Sequence, residues 1–249
     1  MTTGELLALF DAAFDAQREA VGALDRVARR GRGDGHPGQY ALDVVADVAI
    51  LDVLQPAGVA VLSEESGRTG PADAAITVVV DPVDGSTNCA RGIPYWAISL
   101  CAVDADGPLC ALVANGATGE RNTAVRGQGA WRDGEEIHAA TTKRLADSVI
   151  GIDHLPPRDW GAKQYRGLGS IALGLCDVAT GGLEGWVQIG SFAAPWDYLG
   201  GLLVACEAGA QVVDGQDREL VTLDPNVLRQ IVATATPELL AEVRGVALS

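Results

Sequence analysis

Between residues 5 and 28 the apolar side chains Leu6, Phe10, Ala13, Phe14, Val21, Leu24 and Ala28 recur at helical spacing, which predicts an amphipathic helix ended by GRGDGHPG at 31–38. A second helix is predicted over 42–54, with Asp43 and Asp47 four residues apart on one face. Then the period shortens. VAVL at 59–62, ITVVV at 76–80, AISLCAV at 97–103 and LCALVAN at 109–115 are apolar runs divided by turn residues such as DADG at 104–107. This is the pattern of hairpins in an antiparallel or mixed sheet. RGQGAWRDGEEI at 126–137, with Asp133-Gly134 as a turn signal, continues it. Beyond residue 140 the pattern changes again: strands at 148–152, 185–189 and 211–213 alternate with helices at 170–180 and 196–208. Two domains are expected: 1–140, two helices on a mostly antiparallel sheet, and 141–249, an α/β unit.

Composition narrows the function classes. With 48% apolar residues in 249, the chain has ample core. Its 18 Lys plus Arg against 33 Asp plus Glu give a formal charge of −15, which argues against nucleic acid or an anionic membrane surface as partner. A phosphate-bearing substrate would need cations to hold it. The N-terminal MTTGELLALFDAAFDAQREA carries acids in its first turns, unlike a signal peptide, and no window approaches the roughly 18 apolar residues of a membrane span. A cytoplasmic protein is expected. Cys89, Cys101, Cys110, Cys176 and Cys206 show no C-x-x-C pair and read as buried reduced thiols. His36, His138 and His154 fit no metal spacing and read as surface or hairpin residues.

The candidate chemistry lies where acids follow apolar strands. VAVLSEESG places Glu64 and Glu65 after the first strand, ITVVVDPVDGSTN places Asp81 and Asp84 after the second, and GSFAAPWD places Asp197 at a helix start. Oxygen ligands with no His or Cys nearby suit Mg²⁺ or Mn²⁺ rather than zinc. Singly, such acids are more often solvated loop residues or helix-start acids that complement the macrodipole. DPVDGST departs from that pattern, because Pro82 fixes the backbone between its acids and Gly85 permits a tight turn. The stretch is not an EF-hand, since position twelve from Asp81 is Gly92, and it contains neither D-x-D nor G-x-S-x-G.

SEES at 63–66, DPVDGSTN at 81–88 and PWD at 195–197, in that order, resemble the inositol monophosphatase family of metal-dependent, lithium-sensitive phosphatases. RGQGAW at 126–131 and RGLGSIALGLCDVATGG at 166–182 are similar to that family's hairpin and later helix. The resemblance implies a layered α/β fold, the five-layered αβαβα sandwich of sugar phosphatases, a homodimer, and a phosphoric monoester hydrolase using two or three Mg²⁺, with Mn²⁺ as a substitute and Li⁺ inhibitory. It implies that Glu64, Asp81 and the Val83 carbonyl hold a first metal and that Asp81, Asp84 and Asp197 hold a second. Asp47 and Glu65 match the positions of a third. Ser86 with Glu64 would orient the attacking water, the N–H groups of Gly85 and Ser86 would meet the phosphate with Thr87 beside them, and Asp197 would stand by the leaving alkoxide.

Substrate contacts implied by the same resemblance are Gly169, Ser170, Ile171 and Gln188, the last standing where inositol enzymes carry a Glu. Inositol 1-phosphate or a similar polyol phosphate is the leading expectation. Histidinol phosphate, fructose 1,6-bisphosphate and a non-catalytic metal or phosphate-binding role are alternatives. Arg91 and Arg166 could meet a second anionic group, although an ion pair with one of the many acids is the more ordinary expectation.

Overall fold

The computed structural model describes residues 1–35 and 38–247, so His36 lies outside the described residues. The first apolar stripe forms Thr3–Ala23 (α1). Thr2 opens it, its hydroxyl accepting the Glu5 N–H at 3.2 Å while the Glu5 carboxylate accepts the Thr2 N–H at 2.7 Å. The helix ends at Ala23 rather than at the expected Ala28. Leu24 is extended, and Asp25 Oδ1 accepts the N–H groups of Val27 and Ala28, which starts a separate 3-10 turn at Ala28–Arg30. Ala41–Leu54 (α2) packs beside α1.

Strands Ala60–Ser63 (β1), Gly67–Thr69 (β2), Thr77–Asp84 (β3), Ala97–Asp104 (β4), Gly107–Asn115 (β5), Arg121–Val125 (β6), Gly129–Arg132 (β7) and Glu135–Glu136 (β8) form one sheet ordered β2-β1-β3-β4-β5-β6-β7-β8. β1 and β3 pair in parallel and the other neighbours antiparallel, so the sheet is mixed. Ser86–Arg91 (α3) follows β3 after one residue. The second sheet contains Val149–Ile152 (β9), Gln164–Arg166 (β10), Gly185–Val187 (β11), Gln211–Asp214 (β12) and Ile231–Thr234 (β13), ordered β10-β9-β11-β13-β12. Its helices are Ile171–Ala179 (α4), Pro195–Glu207 (α5) and Pro237–Ala247 (α6).

Alternation along the strands assembles these elements into layers. Val78 and Val80 of β3, with Ile98, Leu100 and Ala102 of β4, face Leu6, Phe10 and Phe14 of α1 and Ile50 and Leu54 of α2. Val79, Cys101 and Val113 face the other way, onto Leu175 and Val178 of α4 and Leu199, Leu203 and Val204 of α5. That middle helix layer also covers Trp186, Ile231 and Ala233 of the second sheet, whose far face meets Leu239 and Val243 of α6. The result is an αβαβα sandwich. The two sheets fall on either side of residue 140, yet α4 and α5 join them in one hydrophobic cluster. Gly200 allows α5 this approach, because a Cβ there would sit 2.6 Å from Ser99 Oγ of β4.

Four of the five cysteines are buried and all five are free; Cys206, expected to be buried, is exposed at the end of α5. Among the described residues no helix is long and apolar enough to cross a membrane.

Candidate active site

β3 is buried along its whole length, and its ladder with β4 shifts register between Asp81 and Asp84. Pro82, which has no N–H to give a ladder, sits inside that bulge. Gln17 of α1 donates to the Pro82 carbonyl at 2.9 Å, and the Val83 N–H donates to Asp81 Oδ1 at 2.9 Å. The bulge therefore fixes the Asp81 carboxylate from its own backbone. Glu64 follows β1, the parallel neighbour of β3, and its N–H donates to the Val80 carbonyl at 3.1 Å. Asp197 arrives from α5, where Pro195 begins the helix and the Ala194 N–H donates to Asp197 Oδ2 at 2.6 Å. Asp197 is thus both a helix-start acid and a member of the cluster.

Glu64, Asp81 and Asp197 each bring one carboxylate oxygen to within 4.8 Å of the others. Burial, then Glu64, Asp84 and Asp197, push the Asp81 carboxyl well above the usual range; burial, then Glu64 and Asp84, do the same to Asp197. Asp84 is 9% exposed, and its Oδ2 accepts from Ser170 Oγ and the Ala172 N–H, both at 2.6 Å. Burial raises it to about 6 against those hydrogen bonds. An all-oxygen set of mutually repelling acids, Asp81 and Asp84 buried and Glu64 and Asp197 half-buried, fits a hard divalent cation, which would restore each member to its charged form.

Asp47, also raised by burial, lies 4% exposed on α2 and accepts from Ser63 Oγ at 2.5 Å. Glu65 accepts from Gln39 Nε2. These two acids line a separate cavity of about 580 Å³ with Arg32 and Gly35 and do not join the three-carboxylate group.

Gly85 sits between the acids and α3 at φ 91°, and a Cβ there would come 2.9 Å from the Gly169 carbonyl. The chain at 168–169 is held in place by Asn88, whose Nδ2 donates to the carbonyls of Tyr95 (2.7 Å) and Leu168 (2.8 Å). Ser86 is half-buried at the start of α3, and exposed Thr87 lies 3.4 Å from the Tyr40 hydroxyl. Ser170 caps α4, accepting from the Leu173 N–H at 3.2 Å while bound to Asp84; Ile171 is half-buried behind it.

Gln188 departs from expectation. It is 1% exposed, its Oε1 accepts from the Ile231 N–H at 3.0 Å, and its Nε2 donates to Ser191 Oγ at 2.9 Å, so the side chain is buried with both ends engaged inside the protein. Past the neighbouring end of β9, half-buried Asp153 accepts from Ser191 Oγ at 2.7 Å and lies 3.2 Å from Nδ1 of the exposed His154. His154 and His138 are exposed, as the spacing predicted. Arg91 and Arg166 do not form the expected ion pairs: among the described residues neither meets a carboxylate, and Arg166 bonds Gln164 and its neighbour's carbonyl. Sequence reasoning also missed Gln17 and Asn88. Gln17 is a fully buried polar residue on the apolar stripe of α1, a signal in itself, and Asn88 stood in the motif without a role.

The chain matches the sequence profile of the inositol monophosphatase family over residues 8–247. It is 36% identical over 208 residues to a protein of Thermococcus kodakarensis named fructose-1,6-bisphosphatase/inositol-1-monophosphatase, covering 80% of this chain and 78% of that one. It is 29% identical over 225 residues to Nus factor SuhB of Escherichia coli, covering 80% and 82%. A solved structure described as an extragenic suppressor from Pyrococcus furiosus superimposes with a TM-score of 0.83 at 27% identity, covering 97% of this chain and all of that one. The family match and the named phosphatase relatives together show a phosphoric monoester hydrolase, and the acidic cluster is consistent with it. The chain belongs to the inositol monophosphatase family.

Proposed function

We propose that this protein hydrolyses a small phosphate monoester, inositol 1-phosphate or a similar polyol phosphate, with Mg²⁺ as cofactor. The observation that carries the reading is the convergence of Glu64, Asp81 and Asp197 within 4.8 Å, with Asp84 beside them, from three separate segments. Glu64, Asp81 and the Val83 carbonyl would hold a first metal ion and Asp81, Asp84 and Asp197 a second; when bound, the ions would supply charge neutralisation and make a water molecule acidic enough to attack at neutral pH. Glu64, with the Ser86 hydroxyl, orients that water and takes its proton. The N–H groups of Gly85 and Ser86, with Thr87 alongside, receive the phosphoryl oxygens. As the water oxygen bonds to phosphorus, the ester P–O bond breaks and the leaving alkoxide departs on the Asp197 side, taking up a proton. Backbone at Gly169, Ser170 and Ile171 contacts the alcohol. Asp47 and Glu65 are the proposed ligands of a weaker third metal, and the active form is proposed to be a cytoplasmic homodimer inhibited by Li⁺. Phosphate release from a panel of monoesters, titrated with Mg²⁺ and then Li⁺, tests the reading. No turnover at any metal concentration would overturn it in favour of a binding role.

A further inference from the structure

Four of the chain's 18 cationic residues, Arg26, Arg29, Arg30 and Arg32, fall within seven positions of a protein whose net charge is −15. The 3-10 turn that carries two of them, Ala28–Arg30, packs against α3, the helix that begins at Ser86. There Arg30, Tyr40, Ala90 and Arg91 line a concavity of about 260 Å³. Arg30 Nε donates to the Ala90 carbonyl at 3.2 Å, which fixes the guanidinium on the flank of α3, and among the described residues its two terminal nitrogens have no partner. Arg91 has no hydrogen-bond or ion-pair partner among the described residues. Elsewhere Arg121, Arg126, Arg132, Arg218 and Arg244 each pair with a carboxylate. The third polar group in the concavity is the Tyr40 hydroxyl, 3.4 Å from Thr87 Oγ1. The backbone holds Tyr40 in place, its N–H donating to Asp43 Oδ2 at 2.8 Å. From Ser86 to Arg91 the helix axis advances about 7.5 Å, five residues at the usual rise.

Building on the phosphatase reading, we infer that Arg30, Tyr40 and Arg91 form a subsite for a second oxyanion, placed so that a substrate with two anionic groups on a short carbon skeleton binds across α3. Two guanidinium forks and a phenol are the donor set for a phosphate or carboxylate. In an acidic protein, an isolated basic pocket beside the reaction centre also draws such a substrate inward. The same donors would serve free inorganic phosphate, so the test separates the two sources. A purely structural role, with the arginines capping the last carbonyls of α3, predicts lost thermal stability and an equal change on every substrate.

The experiment compares wild type with Arg30→Ala, Arg91→Ala and the double variant, each confirmed folded by melting, on glycerol 2-phosphate and on a hexose bisphosphate with Mg²⁺. The subsite predicts that the double variant raises KM for the bisphosphate at least about tenfold with kcat unchanged, while KM for glycerol 2-phosphate moves less than about twofold. If free phosphate is the occupant, both KM values hold and only the non-competitive part of phosphate inhibition disappears. Equal changes on both substrates, or no change in KM or inhibition, overturn the inference. Absence of turnover in wild type defeats the phosphatase reading instead. Calorimetric binding of the bisphosphate then decides the subsite: about tenfold weaker binding in the double variant supports it, and equal affinity overturns it.

Discussion

Asp81 and Asp214 are the same side chain with the same low exposure, 2% and 1%, yet they are pushed in opposite directions; Asp214 lies just beneath the surface under the partly exposed Arg218, whereas Asp81 sits within the buried β3. Asp214, at the end of β12, accepts from the N–H groups of Gln230 (2.8 Å) and Arg218 (3.2 Å) and from Arg218 Nε (2.6 Å) and Nη2 (3.0 Å). Burial pulls its carboxyl up, but those donors more than offset it and hold it at about 2. Asp81 has the Val83 N–H and three acidic neighbours. Low exposure alone does not set the cost of a covered charge; the supply of donors and the closeness of solvent do. One site is finished by the protein itself, and the other is left to be finished by a cation.

The strongest way to break the comparison is Asp81→Asn, which removes the central charge. Activity with Mg²⁺ should fall by at least about 10³-fold, while the metal-free protein melts higher than wild type. A lower melting temperature would mean that the repulsion is not what Asp81 contributes. Asp214→Ala is the converse. It strands the N–H groups of Gln230 and Arg218 and should cost about 2–3 kcal/mol in urea unfolding, with kcat/KM unchanged. The pH dependence sharpens the contrast without mutation. Asp84, raised to about 6, contributes stability that is complete below its unfolded value of about 3.9 and is lost as pH rises through 6. Asp214, held at about 2, contributes stability that is present above that unfolded value and is lost as pH falls toward 2. Melting in EDTA should therefore drop between pH 5 and pH 7, and saturating Mg²⁺ should cancel the drop. The smallest effect is expected from Ser170→Ala, about 1 kcal/mol from the lost cap of α4, together with a further rise of the Asp84 carboxyl.

Much of the architecture was legible because burial on both faces of β3, β4 and β5 leaves unbroken apolar runs, and because the α1 stripe keeps its period. β2, β6 and β10, reading GRT, RNTAV and QYR, are short or polar edge and near-edge strands held by their neighbours' ladders rather than by their own pattern. α3 has no apolar period in its STNCAR segment, so only the family resemblance pointed to a helix beginning there. In the site, the acids stood out as carboxylates after strands. What the sequence could not display were contacts across 80 residues or more, such as Ser170 to Asp84 and Asn88 to Leu168, separated by 86 and 80 positions. Gln188 shows the converse: a residue aligned with a ligand-facing position spends both amide ends on Ile231 and Ser191.

The position of Asp197 on α5 has a consequence for the order in which the molecule is made. Glu64, Asp81 and Asp84 leave the ribosome close together, whereas Asp197 follows Asp84 by 197 − 84 = 113 residues and reaches them only when α5 docks on β4 and β5. The electrostatic cost of the cluster is therefore concentrated in a late, long-range step, where loop closure is already slow. A cation present at that moment stabilises the closed form without helping the earlier strand pairing, so Mg²⁺ should slow unfolding in stopped-flow experiments far more than it speeds the first phase of refolding. An equal effect on both phases would place assembly of the acids earlier than the docking of α5.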